Sequence, residues 1–419
     1  MSRITHHTPD LCIIGAGPAG IVAAICLAKA GIKPLVADKS RFPRDKVCGD
    51  ALSGKAVDVL NKLDRRIVSR LQLKPVQIGS WGVTFVAPNL KRIRIPFSSP
   101  GKIPASSAAA PGFICKRIDF DDFIVGFAKE HYGIEILEES RLADFEFQKG
   151  EWLCKTSDGK ISVKSKLLIV ADGAQSVFAR HIAGVNVEHK HYCAGVRAYY
   201  SGVNDMDGEN FIELYFLNEL LPGYFWIFPL PGGKANVGLG IRSDRVSAKR
   251  INLREMLLGV IDKYPALKSR FSSATLADSV HGWGLPLGSV KRKISGSGYM
   301  LCGDAASLID PFTGEGIGNA MLSGMMAAQQ AVKCLEAGDF SAEFISGYDS
   351  AVYGRLWREL SLSRRLQQLV TVPWLFNLVV SKASASKSLQ ETISCMFTDI
   401  DIRRKLRQPS FYLNMLMSG

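Results

Sequence analysis

The sequence predicts an α/β fold: a Rossmann-like parallel sheet, an antiparallel sheet inserted into it, and a helical C-terminal region. Three observations carry this. A GxGxxG loop near the N-terminus sits between an apolar strand and an Ala-rich helix, in "DLCIIGAGPAGIVAAICLAKAGIKPLVADKS". Two further apolar strands, far downstream, each end in a glycine and an acid, in "KLLIVADGAQS" and "GYMLCGDAASLIDPFTGEGIGNAM". Between them, "CAGVRAYYSGV" and "NFIELYFL" alternate with the period of two that an antiparallel sheet requires.

The chain has 419 residues, 47% of them hydrophobic and 22% charged. That suffices for a large core divided into two domains, and it excludes a disordered chain. Nine cysteines occur without a CxxC pair or regular spacing, and no secretory leader precedes Leu11. Reduced thiols in a cytoplasmic setting are expected, with no metal site. A net charge of +13 suits an anionic partner: a phosphorylated cofactor or substrate, an anionic membrane surface, or nucleic acid. No nucleic-acid-binding motif accompanies the charge, so nucleic acid is the least favoured of these. No apolar run reaches the roughly 18–20 residues needed to span a bilayer. The nearest, "LVTVPWLFNLVV" at 369–380, is interrupted by Pro373 and Asn377. It suits a buried helix, a membrane-surface helix or the wall of an apolar pocket.

In chain order, Leu11–Ile14 is the first strand. Gly15, Gly17 and Gly20 follow, then a helix over 21–30 ending at Gly31, then a strand over 34–37 closed by Asp38. Gly15 permits the tight turn, Gly17 lets backbone approach a pyrophosphate, and Gly20 lets the helix pack on the strand. Asp38 lies 23 positions after Gly15, near the spacing of a ribose-binding acid. The segment by itself fits FAD or NAD. The later strands, Leu167–Val170 and 299–302, end at Asp172-Gly173 and Gly303-Asp304. Gly314, Gly316 and Gly318 then crowd the approach to an apolar helix, a way to bring main-chain N–H groups toward an anion.

In this order the motifs resemble the flavoprotein family of class A monooxygenases and geranylgeranyl reductases, over most of residues 8–330. The resemblance implies a p-hydroxybenzoate hydroxylase-like (GR2-type) fold that binds FAD. By it, Gly15, Gly17, Ala19, Gly20, Asp38 and Lys39 hold the adenosine end, and Asp172 lies near the diphosphate. Gly303 and Asp304 contact the ribityl chain, and Pro311, Gly314, Glu315, Gly316 and Ile317 form the loop and helix start beneath the flavin ring. Glu315 is expected to cap that helix rather than to catalyse. "ICKRIDFDDFI" is similar to the family's Arg-containing helix start, which places Arg117 near the FAD. Where the family often has an Arg after the middle motif, this sequence has Ala179 with Arg180 next, so no role for Arg180 follows.

Two stretches separate the branches of that family. "FPRDKVCGDALS" at 42–53 resembles the PxxKxCGG/D loop of the geranylgeranyl reductases and puts Cys48 close to the flavin. "GYFWIFPLPGGKANVGLGI" at 223–241 resembles their Y-x-W-x-F-P segment and VG-x-G strand, whereas halogenases carry W-x-W-x-I-P. Tyr224, Trp226 and Phe228 alternate along one strand and share a face. With Pro229 they are expected to wall a channel for a long apolar chain; a plain core strand is the alternative. The resemblance implies reduction of prenyl C=C bonds in a prenyl lipid or isoprenoid quinone. The alternative is a monooxygenase or halogenase acting on a lipophilic small molecule. A prenyl double bond is not polarised by a carbonyl, so hydride delivery to one carbon needs protonation of the other. Cys48 and Tyr224 are the candidate donors. Electrons would come from NAD(P)H or another reductant, an electron-donor protein included.

The expected FAD-binding domain comprises 1–75, 110–190 and 275–335, and the substrate domain 76–109 and 191–274. A helical region at 336–419 follows. There Arg403, Arg404, Lys405 and Arg407, beside Phe411, Tyr412 and Leu413, fit the inner face of a membrane or a prenyl-phosphate head group; a solvated helix face is the alternative. Trp374, Leu375 and Phe376 would add shallow insertion.

Overall fold

The computed structural model describes residues 4–97, 110–386 and 390. A six-stranded sheet runs in the order Ser295–Gly296, Tyr299–Leu301, Leu167–Val170, Leu11–Ile14, Leu35–Ala37, Ile136–Leu137. All but the first of these pair in parallel. Its two central strands, "LCII" and "LLIV", are buried at every residue, as strands covered on both faces must be. The first helix, Pro18–Lys29, starts three residues before the expected 21, because proline suits the first helical turn. It lies against Ile317–Ala337 so closely that a Cβ on Gly324 would sit 2.2 Å from the Ala19 carbonyl oxygen.

The second large sheet has eight strands and is antiparallel except where Ile212–Tyr215 runs parallel to Gly82–Val86. At its centre lie Tyr192–Ser201, Lys234–Arg242 and Tyr224–Leu230. Thr275–Leu276 and His281–Pro286 also belong to it, the latter paired along Tyr192 to Arg197. A domain boundary drawn at 275 therefore cuts a sheet, and the division we propose falls after Pro286. Strand alternation separates the two faces. Val196, Ala198, Phe225, Ile227, Val237 and Leu239 pack with Leu257, Val260 and Leu267 of the helices Leu253–Lys263 and Pro265–Arg270. The opposite face carries Tyr199, Leu214 and Phe228, which pack with Phe312, Val370 and Phe376.

The helices Gly347–Leu369 and Pro373–Ala385 brace the junction. Gln367 Nε2 donates to the Pro311 carbonyl at 2.7 Å, and Lys55 pairs with Glu359 at 2.7 Å. Phe376 was expected at a membrane surface, but it is buried with its ring 4.9 Å from that of Phe216. It faces inward because helical periodicity puts Trp374 and Leu378 on the outer side, where both are exposed. The basic cluster at 403–407 lies outside the described residues. Among the described residues no helix is long and apolar enough to cross a membrane.

Candidate active site

The glycine loop is shaped by contacts only glycine allows. Gly15 has φ +100°, and a Cβ there would meet the Ala171 carbonyl oxygen at 2.5 Å. A Cβ on Gly20 would lie 1.8 Å from the Gly15 carbonyl oxygen, so helix and strand touch through backbone. Asp38 braces the loop: Oδ2 accepts from the Ala16 N–H at 2.7 Å and Oδ1 from the Ser40 N–H at 2.8 Å. Asp172 stands at the end of the neighbouring strand. Burial pushes its carboxyl up to about 6, against the Ser176 hydrogen bond and the nearby Lys39 charge. Its Oδ1 is buried without a hydrogen-bond partner among the described residues. A Cβ on Gly17 would meet only Arg44, at 3.6 Å, so that side of the loop is open.

The 303–318 segment forms the facing wall. The Gly303 N–H donates to Ser323 Oγ at 2.9 Å, and Asp304 pairs with Lys46 at 3.0 Å. Asp310 Oδ1 gathers the N–H groups of Phe312 and Thr313 at 2.9 and 2.8 Å, folding the loop into a tight turn. Gly314 has φ +71°, and a Cβ there would come within 2.8 Å of the Tyr224 hydroxyl. Tyr224 in turn donates its proton to the Thr313 carbonyl. Glu315 caps the helix as read: Oε1 accepts from the Gly318 N–H at 2.6 Å and from Ser53 Oγ at 3.2 Å. Its Oε2 is buried without a partner among the described residues, and burial pushes the carboxyl up.

These residues fit FAD. The open glycine backbone at a helix N-terminus suits a diphosphate, the orphaned acceptor of Asp172 suits a polar group of the cofactor, and the glycine-lined turn at 314–316 admits a flat ring. Arg180, by contrast, turns back on its own helix, donating to the Ser176 and Gln175 carbonyls.

Between the walls lies one cavity, lined by Pro18, Asp304 and 313–317 on one side and by a single face of the eight-stranded sheet on the other. Leu214, Tyr224, Trp226, Phe228, Gly195 and Arg197 all reach it from that face. Pro229, expected in the channel, points away, because one step along a strand reverses the face. The VG-x-G spacing is explained here. A Cβ on Gly238 would lie 2.3 Å from Trp226 Cζ2, so the bare glycine lets the indole lie flat on the sheet. Trp226 Nε1 then donates to Asn236 Oδ1 at 2.9 Å.

The 46–53 loop crosses the cavity and carries Cys48 and Gly49, the latter close on the Phe228 ring. Burial pushes the Cys48 thiol up, with the Arg117 charge opposing it. Arg117 is buried and gives Nε and Nη2 to Asp121 at 2.7 and 2.6 Å; removing one partner of such a pair costs about 3–5 kcal/mol. Burial pushes Asp121 up, but the charges of Arg117 and Arg44 outweigh it and hold the carboxyl low.

Beneath the loop is a network that sequence reasoning missed. Asp50, fully buried at φ +68°, accepts from Tyr199 Oη at 2.8 Å, Asn236 Nδ2 at 2.8 Å and the Arg117 N–H at 3.2 Å. Asn236 also donates to the Cys48 carbonyl at 2.8 Å. The available signal was a polar residue on the cavity-facing register of an otherwise apolar strand, at Asn236 and again at Arg197.

Comparison with known proteins agrees with this geometry. An FAD binding domain model matches residues 8–351. A digeranylgeranylglycerophospholipid reductase of Methanosarcina acetivorans is 31% identical over 84% of this chain and 80% of its own. A menaquinone reductase of Mycobacterium tuberculosis is 30% identical over 87% and 84%. Among solved structures, a geranylgeranyl bacteriochlorophyll reductase-like protein of Thermoplasma acidophilum superposes with TM-score 0.79 at 25% identity, over 96% of this chain and 99% of that one. Flavin-dependent halogenases share the fold at lower identity, a likeness of fold alone. With the cofactor loops in place and these relatives spanning most of its length, the chain belongs to the geranylgeranyl reductase family of FAD-dependent oxidoreductases.

Proposed function

We propose that the protein reduces carbon–carbon double bonds in the prenyl chain of a lipid or isoprenoid quinone. The observation that supports this most is the cavity: one wall of cofactor-loop backbone, one wall of aromatic and aliphatic side chains, and Cys48 between them. Relatives named for menaquinone and for digeranylgeranylglycerophospholipid support the substrate class. FAD held by the glycine loop and the 313–317 turn would, when reduced, provide hydride for one alkene carbon. Cys48 supplies the proton to the other. Burial keeps the thiol protonated, and as its S–H bond breaks and the C–H bond forms, the thiolate is left near the Arg117 charge that opposes burial. A proton from solvent restores the thiol. The Tyr224 proton is committed to the Thr313 carbonyl, so we assign Tyr224 to holding the 313–316 turn against the sheet rather than to proton delivery.

Electrons arrive from NAD(P)H or from a donor protein. The substrate is nearly insoluble, so we place the enzyme at the cytoplasmic face of a membrane, with the exposed Val372, Trp374 and Leu378 toward lipid. Anaerobic incubation of photoreduced holoenzyme with prenyl quinones, prenyl glycerolipids and aromatic metabolites, followed by mass spectrometry, tests the reading. Products gaining two hydrogens are expected. Products hydroxylated or halogenated only with oxygen present would establish the alternative chemistry instead.

A further inference from the structure

Two buried hydrogen-bond donors on the cavity's sheet face have no acceptor among the described residues: Arg197 Nε and Trp283 Nε1. Arg197 is 0% exposed. Trp283 pairs with Gly195, two residues from Arg197 on the next strand, so both side chains rise from the same face as diagonal neighbours. Such neighbours are separated by about 7–8 Å at Cα, within reach of an aromatic and an arginine. Gly195 between them carries no side chain to cover the space. Buried donors without partners cost stability unless something accepts from them.

The charge around them defines the acceptor. Arg197 gives Nη2 to Asp45 and Nη1 to Asp278, the latter at 3.3 Å, so two carboxylates already face one guanidinium. Its planar group also lies over the Tyr199 ring at 4.0 Å. The nearby Lys46 is paired with Asp304. A phosphate placed at Arg197 would meet Asp45 and Asp278 as like charges; the Lys116 ammonium, 4.3 Å from the Tyr199 ring, is the nearby cation that could oppose them, so the diphosphate probe is part of the test. What remains unpaired among the residues lining this part of the cavity is two N–H groups, the Arg197 Nε–H and the Trp283 Nε1–H.

We propose that Arg197 Nε and Trp283 Nε1 form an anchor for the uncharged carbonyl oxygen of a quinone-type head group. The prenyl chain then runs across the sheet past Trp226 to Leu214. That path crosses four inter-strand steps of about 4.8 Å, roughly 19 Å in all. This rests on the prenyl-reductase reading and narrows its substrate to the carbonyl-bearing class.

The test measures binding to the FAD-loaded enzyme by flavin fluorescence, with three probes: a prenyl naphthoquinone, a prenyl diphosphate of equal chain length, and the prenyl hydrocarbon alone. Trp283→Phe keeps an aromatic ring, smaller than the indole, and removes the N–H; the hydrocarbon probe reads the packing change. Arg197→Lys keeps a cation for the two aspartates and removes Nε. Each variant is expected to weaken the quinone about 3–10-fold, the worth of one buried hydrogen bond, while hydrocarbon binding holds. Equal losses for all three probes would mean a structural role. A changed flavin absorption spectrum or FAD affinity would mean that the donors serve the cofactor. Either result overturns the anchor, as does wild-type enzyme that prefers the diphosphate or binds no quinone. Binding is read without turnover, so failure to reduce any alkene counts against the prenyl-reductase reading and leaves the anchor to be judged by these affinities.

Discussion

Asp50→Asn sets two opposed consequences of burial against each other. The carboxylate accepts from Tyr199, Asn236 and the Arg117 N–H, and three donors favour its ionised form. Complete burial disfavours that form, and burial wins, holding the carboxyl at about 6. An acid whose folded pKa exceeds its unfolded one binds its proton more tightly when folded. Its stabilising contribution is therefore full below the unfolded value and is lost as pH rises through about 6. The gap between 3.8 and about 6 is worth about 3 kcal/mol, of which about 2 kcal/mol is lost between pH 4.5 and 7.5. Asn preserves size and tolerates the φ of +68°, but it does not titrate. Its amide oxygen is drawn to the position where two donors converge, which turns the NH₂ toward the Arg117 N–H. The Arg117 N–H then loses its acceptor and the NH₂ facing it finds none, at a cost of at least about 1–3 kcal/mol. Urea unfolding of wild type and variant at pH 4.5 and 7.5 should show a deficit of that size at the lower pH, shrinking by about 2 kcal/mol at the higher. Taking the difference cancels Asp172, whose carboxyl is also near 6. A deficit that grows with pH would refute the reasoning, since it would mean that the three donors outweigh burial.

Three further outcomes are expected. Cys48→Ala should retain FAD and slow anaerobic single-turnover alkene reduction by about 10²–10⁴, the usual worth of a positioned acid; an unchanged stopped-flow rate would leave Cys48 a packing residue. Gly238→Ala would place a Cβ 2.3 Å from Trp226 and 2.4 Å from the Val196 carbonyl oxygen. It should destabilise by about 1–3 kcal/mol and alter tryptophan near-ultraviolet circular dichroism, and an unaltered spectrum would contradict the stacked indole. Trp374→Ser should reduce flotation with anionic liposomes at low salt, because the residue is 68% exposed; negligible flotation of wild type on neutral and anionic liposomes alike would remove the membrane proposal.

The glycine turns and strand ends of one cavity wall were legible in the sequence because their causes are local. Gly15 and Gly20 are fixed by contacts within one βαβ unit, and the strand ends at Asp172 and Asp304 follow from short apolar runs of the right length. The aromatic stripe was legible for the same reason, since period two alone assigns Tyr224, Trp226 and Phe228 to one face. It also excludes Pro229, a consequence of the same periodicity that the motif resemblance obscured. Phe376 was misread because an apolar run states no direction; only the packing of its helix against Phe216 decides which residues face inward. The polar network beneath Cys48 was not legible, because its members come from residues 48–50, 117, 199 and 236, and nothing local joins them.

That network bears on how the two walls act together. Asn236 accepts from Trp226, donates to the Cys48 carbonyl, and donates to Asp50. One amide thus ties the strand that walls the cavity to the loop that carries the thiol. Each of its three bonds is directional, and it is fully buried, so a shift of any partner leaves a polar group unpaired. A proton donor must be held within a fraction of an ångström of its target, and residues 46–50, which precede the short strand Ala51–Leu52 and have no regular structure themselves, cannot do this alone. Here the loop takes its position from the sheet. On the proposed mechanism, displacing Trp226, even by a methyl group on Gly238, would act on Cys48 through Asn236 and so couple substrate fit to protonation.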